Sequence, residues 1–224
     1  MSSAISINTI SVIGGTGALG SGLAKRWARA GYRVIIGSRK ADKAVESAQA
    51  MAAELGLDTL SGMANQEAAA AADIAVLTVP FAHQAPTLEE IAPALAGKIL
   101  VDATVPLVPP KVARVQLPEP GCAALRAQKL LGEAVQVISA FQNVAADLVA
   151  TDAVLDCDVL VTGDKLAARE VVVELANKAG MRAWHAGPLA NSAAAEALTS
   201  VLIFINRKHP DQHAGLRITG IQEA

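Results

Sequence analysis

The run Gly14-Gly15-Thr16-Gly17-Ala18-Leu19-Gly20 constrains this chain more than any other stretch. An apolar segment at residues 7–13 leads into it. A helical pattern at 19–30 follows, with Leu23, Trp27 and Ala30 near one face and Lys25, Arg26 and Arg29 solvated. Gly15, Gly17 and Gly20 supply G-x-G-x-x-G in a strand–turn–helix setting. There the first glycine makes the tight turn, the second lets the backbone approach a pyrophosphate, and the third lets helix and strand pack closely. Amide groups at the helix N-terminus receive the negative charge. The spacing predicts an α/β fold, a Rossmann-type doubly wound parallel sheet that binds a dinucleotide.

The rest of the chain keeps the same rhythm of short apolar runs and longer helical patterns. Strands are expected at 33–36, 74–79, 98–102, 134–140, 158–162, 182–185 and 216–221. Helices are expected at 41–55, 67–72, 87–95, 165–179 and 191–207. Gly31 stands where a helix C-cap belongs, and Pro80 closes a strand because proline cannot continue a central ladder. Residues 104–120 hold five prolines and read as an irregular excursion of the kind that is usually functional or mobile. The last helix is apolar almost all round and is therefore expected to be buried. A division near Val137 gives a dinucleotide-binding domain, residues 1–137, and a smaller C-terminal part, residues 138–224, whose buried helix closes the cleft.

Composition removes several function classes. At 52% hydrophobic and 18% charged residues over 224 positions, the chain has ample apolar surface for a folded core, which argues against disorder. A net charge of −2 without any Lys/Arg block lacks the footprint of a nucleic-acid binder. Aromatic residues at 3% leave little for base stacking. The mean hydropathy of +0.37 invites a membrane reading. However, the most apolar stretch, 193–205, contains Glu196, Thr199 and Ser200 and is shorter than the roughly 20 residues a span needs. Residues 1–6 lack the basic start of a signal peptide. Cys122 and Cys157 show no metal or redox spacing and are expected to be inert in a reduced, cytoplasmic compartment.

The end of the second strand selects the dinucleotide. NAD sites usually place Asp or Glu there for the ribose 2′-hydroxyl. This chain reads Gly37-Ser38-Arg39-Lys40, with Lys43 one turn further on and no acid before Asp42. A hydroxyl, a guanidinium and an ammonium suit a 2′-phosphate, so NADP(H) is the expected cofactor. The second half lacks an obvious acid/base group, since the helix at 191–207 holds only Glu196. That argues against hydroxyacid chemistry. It is compatible with hydride transfer to a conjugated ring, which asks mainly for orientation and exclusion of water.

These residues resemble the coenzyme F420-dependent NADP oxidoreductases nearly end to end. The resemblance is carried by V-I-G-G-T-G-A-L-G, G-S-R-K-A-D-K, D-I-A-V-L-T-V-P-F-A-H, the S-A-F run near 140, D-V-L-V-T-G-D and A-G-P-L-A-N-S. It implies reversible hydride transfer between NADP(H) and a deazaflavin, coenzyme F420, as the small-molecule redox substrate. Carried onto matching positions, it implies that Thr16, Gly17, Ala18 and Leu19, with Gly15, cradle the pyrophosphate. Ser38, Arg39 and Lys43 would hold the 2′-phosphate. Val79, beside Pro80, and Val105 would line the path from adenosine to nicotinamide. Ala146 would lie near the nicotinamide, Val144 would press the rings together, and Ala214 would sit on the deazaflavin side. The resemblance also implies a homodimer. It departs where archaeal members read His-Thr-Ile-Pro-Ala and this chain reads Gln142-Asn143-Val144-Ala145-Ala146, and again at residues 102–106.

His83 matches a histidine of the resembled family and is a candidate ligand contact, without a catalytic proton to move. The segment 209–213 carries His209, Asp211 and His213, but its proline and missing fourth ligand favour a solvated turn over a metal site. Lys111, Arg114, Arg126 and Lys129 flank the proline-rich excursion as a solvated face that could meet an acidic acceptor tail. Two other readings stay open: an NADPH-dependent reductase of another acceptor (a flavin, or ferric ion through a flavin), and an NADP(H)-sensing protein without turnover.

Overall fold

A computed structural model describes residues 5–210 and 212–221. The elements alternate as the sequence rhythm demands. They run β1 (Thr9–Ile13), α1 (Ala18–Arg29), β2 (Arg33–Ser38), α2 (Ala41–Leu55), β3 (Leu60–Ala64), α3 (Asn65–Ala71), β4 (Ile74–Leu77) and α4 (Gln84–Ile91). After these come β5 (Ile99–Asp102), α5 (Ala123–Leu131), β6 (Gln136–Ser139), α6 (Ala146–Val149), β7 (Asp158–Val161), α7 (Leu166–Lys178), β8 (Arg182–His185) and α8 (Ser192–Asn206). A six-stranded sheet runs β3-β2-β1-β4-β5-β6, every pair parallel. This is the doubly wound order, which reverses direction between β1 and β4.

Alternation along the strands feeds a core on each face. Ile10, Val12, Val34, Ile36, Ile74 and Val76 join Leu23 and Trp27 of α1 and Leu175 of α7 on one side. Ile13, Ile35, Ala75, Leu77 and Leu100 join Leu88 and Ile91 of α4 on the other. Alanine does much of the helix-side packing, which lets helices lie close to the strands. The extreme case is β3, where a side chain at Gly62 would fall 2.2 Å from the Ala44 carbonyl carbon.

Four expectations need correction. β3 was not expected, because Leu60-Ser61-Gly62-Met63-Ala64 lacks an apolar run; it forms by pairing with β2 at the sheet edge and packing under α2. Helix α5 also emerges from a stretch read only as basic flank, and the Cys122 thiol caps it by accepting from the Leu125 amide at 3.4 Å. Residues 216–221 form no strand; they are tied to β7 by the Asp158 amide donating to the Leu216 carbonyl at 2.7 Å. Finally, α8 is buried on one side only. It buries Ala195, Glu196, Ser200 and Leu202, while Val201, Phe204 and Ile205 are exposed, because no described part of the chain lies over that face.

The C-terminal part is built around the parallel pair β7–β8, joined to the main sheet by an antiparallel bridge between Ser139 and Thr162. The division expected after residue 137 falls inside β6. Residues 104–122 carry no helix or strand, as the prolines dictate. One stretch, Leu189–Asn206, has the length and mean hydropathy (1.3) of a short span. Its Ser192, Glu196 and Ser200 are nevertheless packed inside the protein.

Candidate functional site

The turn from β1 into α1 is held by its own backbone. The Gly14 amide donates to the Gly37 carbonyl at 3.0 Å and the Gly17 amide to the Gly14 carbonyl at 3.0 Å. Gly14 has φ of +79°, and a side chain there would lie 2.7 Å from a Val79 methyl. At Gly20 a Cβ would fall 2.6 Å from the Thr78 hydroxyl and 2.8 Å from the Gly15 Cα, so helix and turn touch. Gly17 is different: a Cβ there meets only the Gly14 carbonyl oxygen, at 3.4 Å. Its missing side chain opens the cleft rather than serving the packing. No acidic residue stands in the first turn of α1, and no side chain caps it. Its amides therefore face the cleft as donors for an anion.

A cavity of about 650 Å³ opens over this turn, at the point where strand order reverses. Gly14, Thr16 and Gly17 form its floor; Thr78, Val79, Pro80 and His83, from the loop after β4, form one wall. Ser38, Arg39, Lys40 and Lys43 form the far end, where β2 gives way to α2. Arg39 and Lys43 are exposed, and the Ser38 hydroxyl accepts from the Lys40 amide at 3.3 Å. Ala18 and Leu19 begin α1 beside the turn. The fold thus brings most of the nucleotide-side candidates to one cleft. Val105, half-buried in the segment after β5, does not line it.

Asn65 also lines this cavity and was not anticipated. It is the first residue of α3, 2% exposed. Its amide nitrogen donates to the Glu90 carboxylate at 3.3 Å. Because a carboxylate only accepts, this fixes the amide's orientation. Its Oδ1 is buried without a hydrogen-bond partner among the described residues. A buried orphan acceptor beside a ligand cavity is a place for a ligand's donor. Without β3, no sequence pattern places residue 65 near residue 38; the pairing of Ser38 with Ala64 does so.

A second cavity of about 280 Å³ lies beyond β6. Gln142, Asn143 and Val144 line it from the loop after that strand, Thr199 and Leu202 from α8, and His213 and Ala214 from the C-terminal segment. Ala146 opens α6 immediately beside it. The loop starts from Phe141, a non-glycine residue at φ +73°, a conformation that costs roughly 1–3 kcal/mol and is held by surrounding structure. His213 pairs with Asp147 at 3.2 Å; Asp211 of the sequence's possible metal group lies outside the described residues. Arg126 stacks over the Phe81 ring at 5.1 Å. Both thiols are pushed up in pKa, chiefly by burial.

Between the two cavities runs a layer of buried polar groups. Gln84 donates to the Asp102 carboxylate at 2.6 Å and to the Thr104 hydroxyl at 2.9 Å, and burial raises the Asp102 pKa. Gln142 donates to the Asp102 carbonyl and the Ser139 hydroxyl. Ser139 meets Ser192 at 2.8 Å, and Ser192 donates to Glu196 at 2.7 Å. Glu196 is thus occupied by structure. Its carboxylate accepts from the amides of Ala123 at 2.7 Å and Ala124 at 3.1 Å, capping α5 from 73 residues away.

Burial raises the Glu196 pKa from 4.5 to about 7, with the nearby Asp102 adding to it. A carboxyl whose folded pKa is raised stabilises the fold fully below its unfolded pKa and loses that contribution as pH climbs through 7. The loss amounts to something on the order of 3 kcal/mol. Glu196→Gln, which cannot ionise, is expected to flatten this slope while costing about 1–3 kcal/mol for an imperfect cap. Urea unfolding from about pH 5 to about pH 8 checks it; an unaltered slope would assign the pH dependence to another group.

The doubly wound sheet, the glycine turn at its switch point and the basic end of β2 define a nucleotide-binding protein of the Rossmann class. The profile of the family described as NADP oxidoreductase, coenzyme F420-dependent, matches residues 9–106. The F420-dependent NADP reductase of Methanothermobacter thermautotrophicus is 42% identical over 228 aligned positions, covering 98% of each chain. That of Methanocaldococcus jannaschii is 38% identical, covering 95% of this chain and 99% of its own. Among solved structures, a putative F420-dependent NADP reductase from Arthrobacter superimposes with a TM-score of 0.79 at 23% identity, over 96% of this chain and all of its own. This chain belongs to the F420-dependent NADP oxidoreductase family.

Proposed function

We propose that this protein transfers hydride reversibly between NADP(H) and coenzyme F420. Near full-length identity to reductases of that name carries the reading, and the residues at both cavities suit it. In the reaction, a hydride passes between the dihydronicotinamide ring and the deazaflavin ring, the nicotinamide being oxidised as the deazaflavin is reduced.

In this reading the backbone amides of Thr16, Ala18 and Leu19 bind the pyrophosphate, while Gly15 and Gly17, whose amides are bonded to carbonyls within the turn and of β2, give it room to approach. Ser38, Arg39 and Lys43 hold the 2′-phosphate by charge-assisted bonds. Asn65 Oδ1 accepts from a hydroxyl or amino group of the adenosine moiety. Val79, Pro80 and His83 line the way towards the nicotinamide, Val105 stands further along it outside the cavity, Ala146 lies near the ring, and Ala214 borders the deazaflavin. Val144 presses on the stacked rings and, with Ala145 and Ala146 beside it, excludes water. No side chain is asked to move a proton. The C-terminal part, from about residue 138, closes the acceptor side. The protein works as a cytoplasmic homodimer, the dimer reading being supported by the exposed Val201, Phe204 and Ile205 on α8.

NADPH oxidation with F420, then FMN, each against NADH, tests the activity. Bleaching of F420 with NADPH alone is the expected result, and reduction of FMN with F420 ignored would overturn the acceptor. Asn65→Ala is expected to raise the NADPH KM about 5- to 20-fold, the worth of one buried hydrogen bond. An unmoved KM would remove Asn65 from the nucleotide site.

A further inference from the structure

Helix α1 grips the acceptor-side loop at both ends. At the start, the Trp27 indole meets the Phe141 ring edge-on, centroids 5.9 Å apart at 76°. At the far end, Gly22 lies so close to α6 that a Cβ would fall 2.8 Å from both the Val149 carbonyl carbon and the Ala150 amide nitrogen. One turn on, Arg26 donates to the backbone carbonyls of Val149 at 2.8 Å, Thr151 at 2.8 Å and Ala153 at 2.9 Å, and to Ala179 of the α7 end at 3.0 Å. Arg29 adds an ion pair to Asp152. Residues 142–145, the wall of the second cavity, hang between these grips.

The first half of the loop is tied to α8, Asn143 donating to the Ala195 carbonyl at 2.8 Å and Thr199 to the Gln142 carbonyl at 2.9 Å. The second half depends on α1: α6 is four residues long, too short to be stable by itself, and the carbonyls of Val149, Thr151 and Ala153 find their charged donor in Arg26. Burial lowers the pKa of Arg26, a measure of how far the guanidinium has been drawn out of water to reach them. The N-terminus of the same helix forms the floor of the nucleotide cavity. One rigid rod therefore connects the two half-sites.

We propose that Gly22 and Arg26 are positioning residues for hydride transfer, holding the acceptor-side loop at a fixed distance from the nucleotide bound at the N-terminus of α1. The inference rests on the proposed placement of the acceptor at residues 142–145. A ring-to-ring separation that depends on this helix responds to a change in how the loop sits on it. A displacement near 1 Å costs on the order of 10²-fold in rate.

The test uses the full-length protein and Gly22→Ala, Arg26→Lys and Val144→Ala. NADPH affinity is read by fluorescence titration, and hydride transfer to F420 by single-turnover kinetics with NADPH and with NADPH deuterated at the nicotinamide C4. Gly22→Ala and Arg26→Lys are expected to bind NADPH within about 2-fold of wild type and to transfer hydride about 10-fold more slowly or worse. Their deuterium isotope effect should rise. Val144→Ile, added to Gly22→Ala, should recover part of the rate by refilling the gap, which a general loss of stability would not permit. Wild-type transfer rates in both grip variants, with Val144→Ala slowed, would overturn the positioning role alone. Val144→Ala at wild-type rate would overturn the acceptor placement and this inference with it. Parallel loss of NADPH binding and rate in Arg26→Lys, the milder change, would reduce the grip to a structural one.

Discussion

Replacing Arg39 and Lys43 together with alanine is expected to erase most of the preference for NADPH over NADH. Both side chains are exposed at the mouth of the nucleotide cavity, where β2 meets α2. Each charge-assisted bond to a phosphate is worth about 1.5–3 kcal/mol in a good geometry, and exposure reduces that through solvent and salt screening. Taking the lower end for each, the pair contributes roughly 3 kcal/mol, or about 100-fold in kcat/KM with NADPH. NADH carries no 2′-phosphate, so its kcat/KM should change by no more than about 3-fold. Arg39→Ala alone should cost about 10-fold, more than Lys43→Ala, because a guanidinium offers a planar fork where an ammonium is a point charge. Raising ionic strength should narrow the wild-type preference and leave the double variant unmoved. Steady-state kinetics with both nucleotides decide it: equal losses with NADPH and NADH would place the 2′-phosphate elsewhere.

Trp27→Ala is expected to cost about 4 kcal/mol of stability. The side chain is fully buried in α1 against the sheet. Its ring packs edge-on to Phe141, and its indole nitrogen donates to the Leu175 carbonyl at 2.9 Å. Truncating a buried tryptophan removes its transfer energy and leaves a cavity, together about 3–5 kcal/mol; the Leu175 carbonyl loses one of its two donors and keeps the Ala179 amide at 3.1 Å. Trp27→Phe keeps much of the volume and should cost about 2 kcal/mol. Against a total of about 5–15 kcal/mol for an ordinary domain, the alanine variant stands near unfolding. Urea midpoints measure both. A loss below about 1 kcal/mol for Trp27→Ala would mean that the site collapses without a cavity.

The nucleotide half was legible in the sequence because its determinants are contiguous. The glycine turn needs residues 14–20 only, and the 2′-phosphate end needs residues 37–43. Strand and helix periods around them settle how they face one another. The expected strand at 33–36 and helix at 41–55 coincide with β2 and α2 to within two residues at either end. β3 escaped because an edge strand of small and polar residues has no apolar period. α5 escaped because its N-terminal cap is supplied by Cys122 and by Glu196 of a distant helix.

The chain itself thus determined the doubly wound order, the glycine turn and the basic end of β2, since these follow from local conformation and from side chains that carry their own charge. Tertiary structure alone decided the rest. It took Glu196 out of any acid/base role and made it a cap. It brought Asn65 beside Ser38, left α8 with an exposed apolar face, and hung the acceptor loop from Gly22 and Arg26. The hydrogen bonds of Glu196 and Arg26 join residues 72 to 153 positions apart and run to backbone amides and carbonyls. A backbone carbonyl is the same in every residue, so no pattern of side chains announces it; only the packing of helices and strands selects which one is reached.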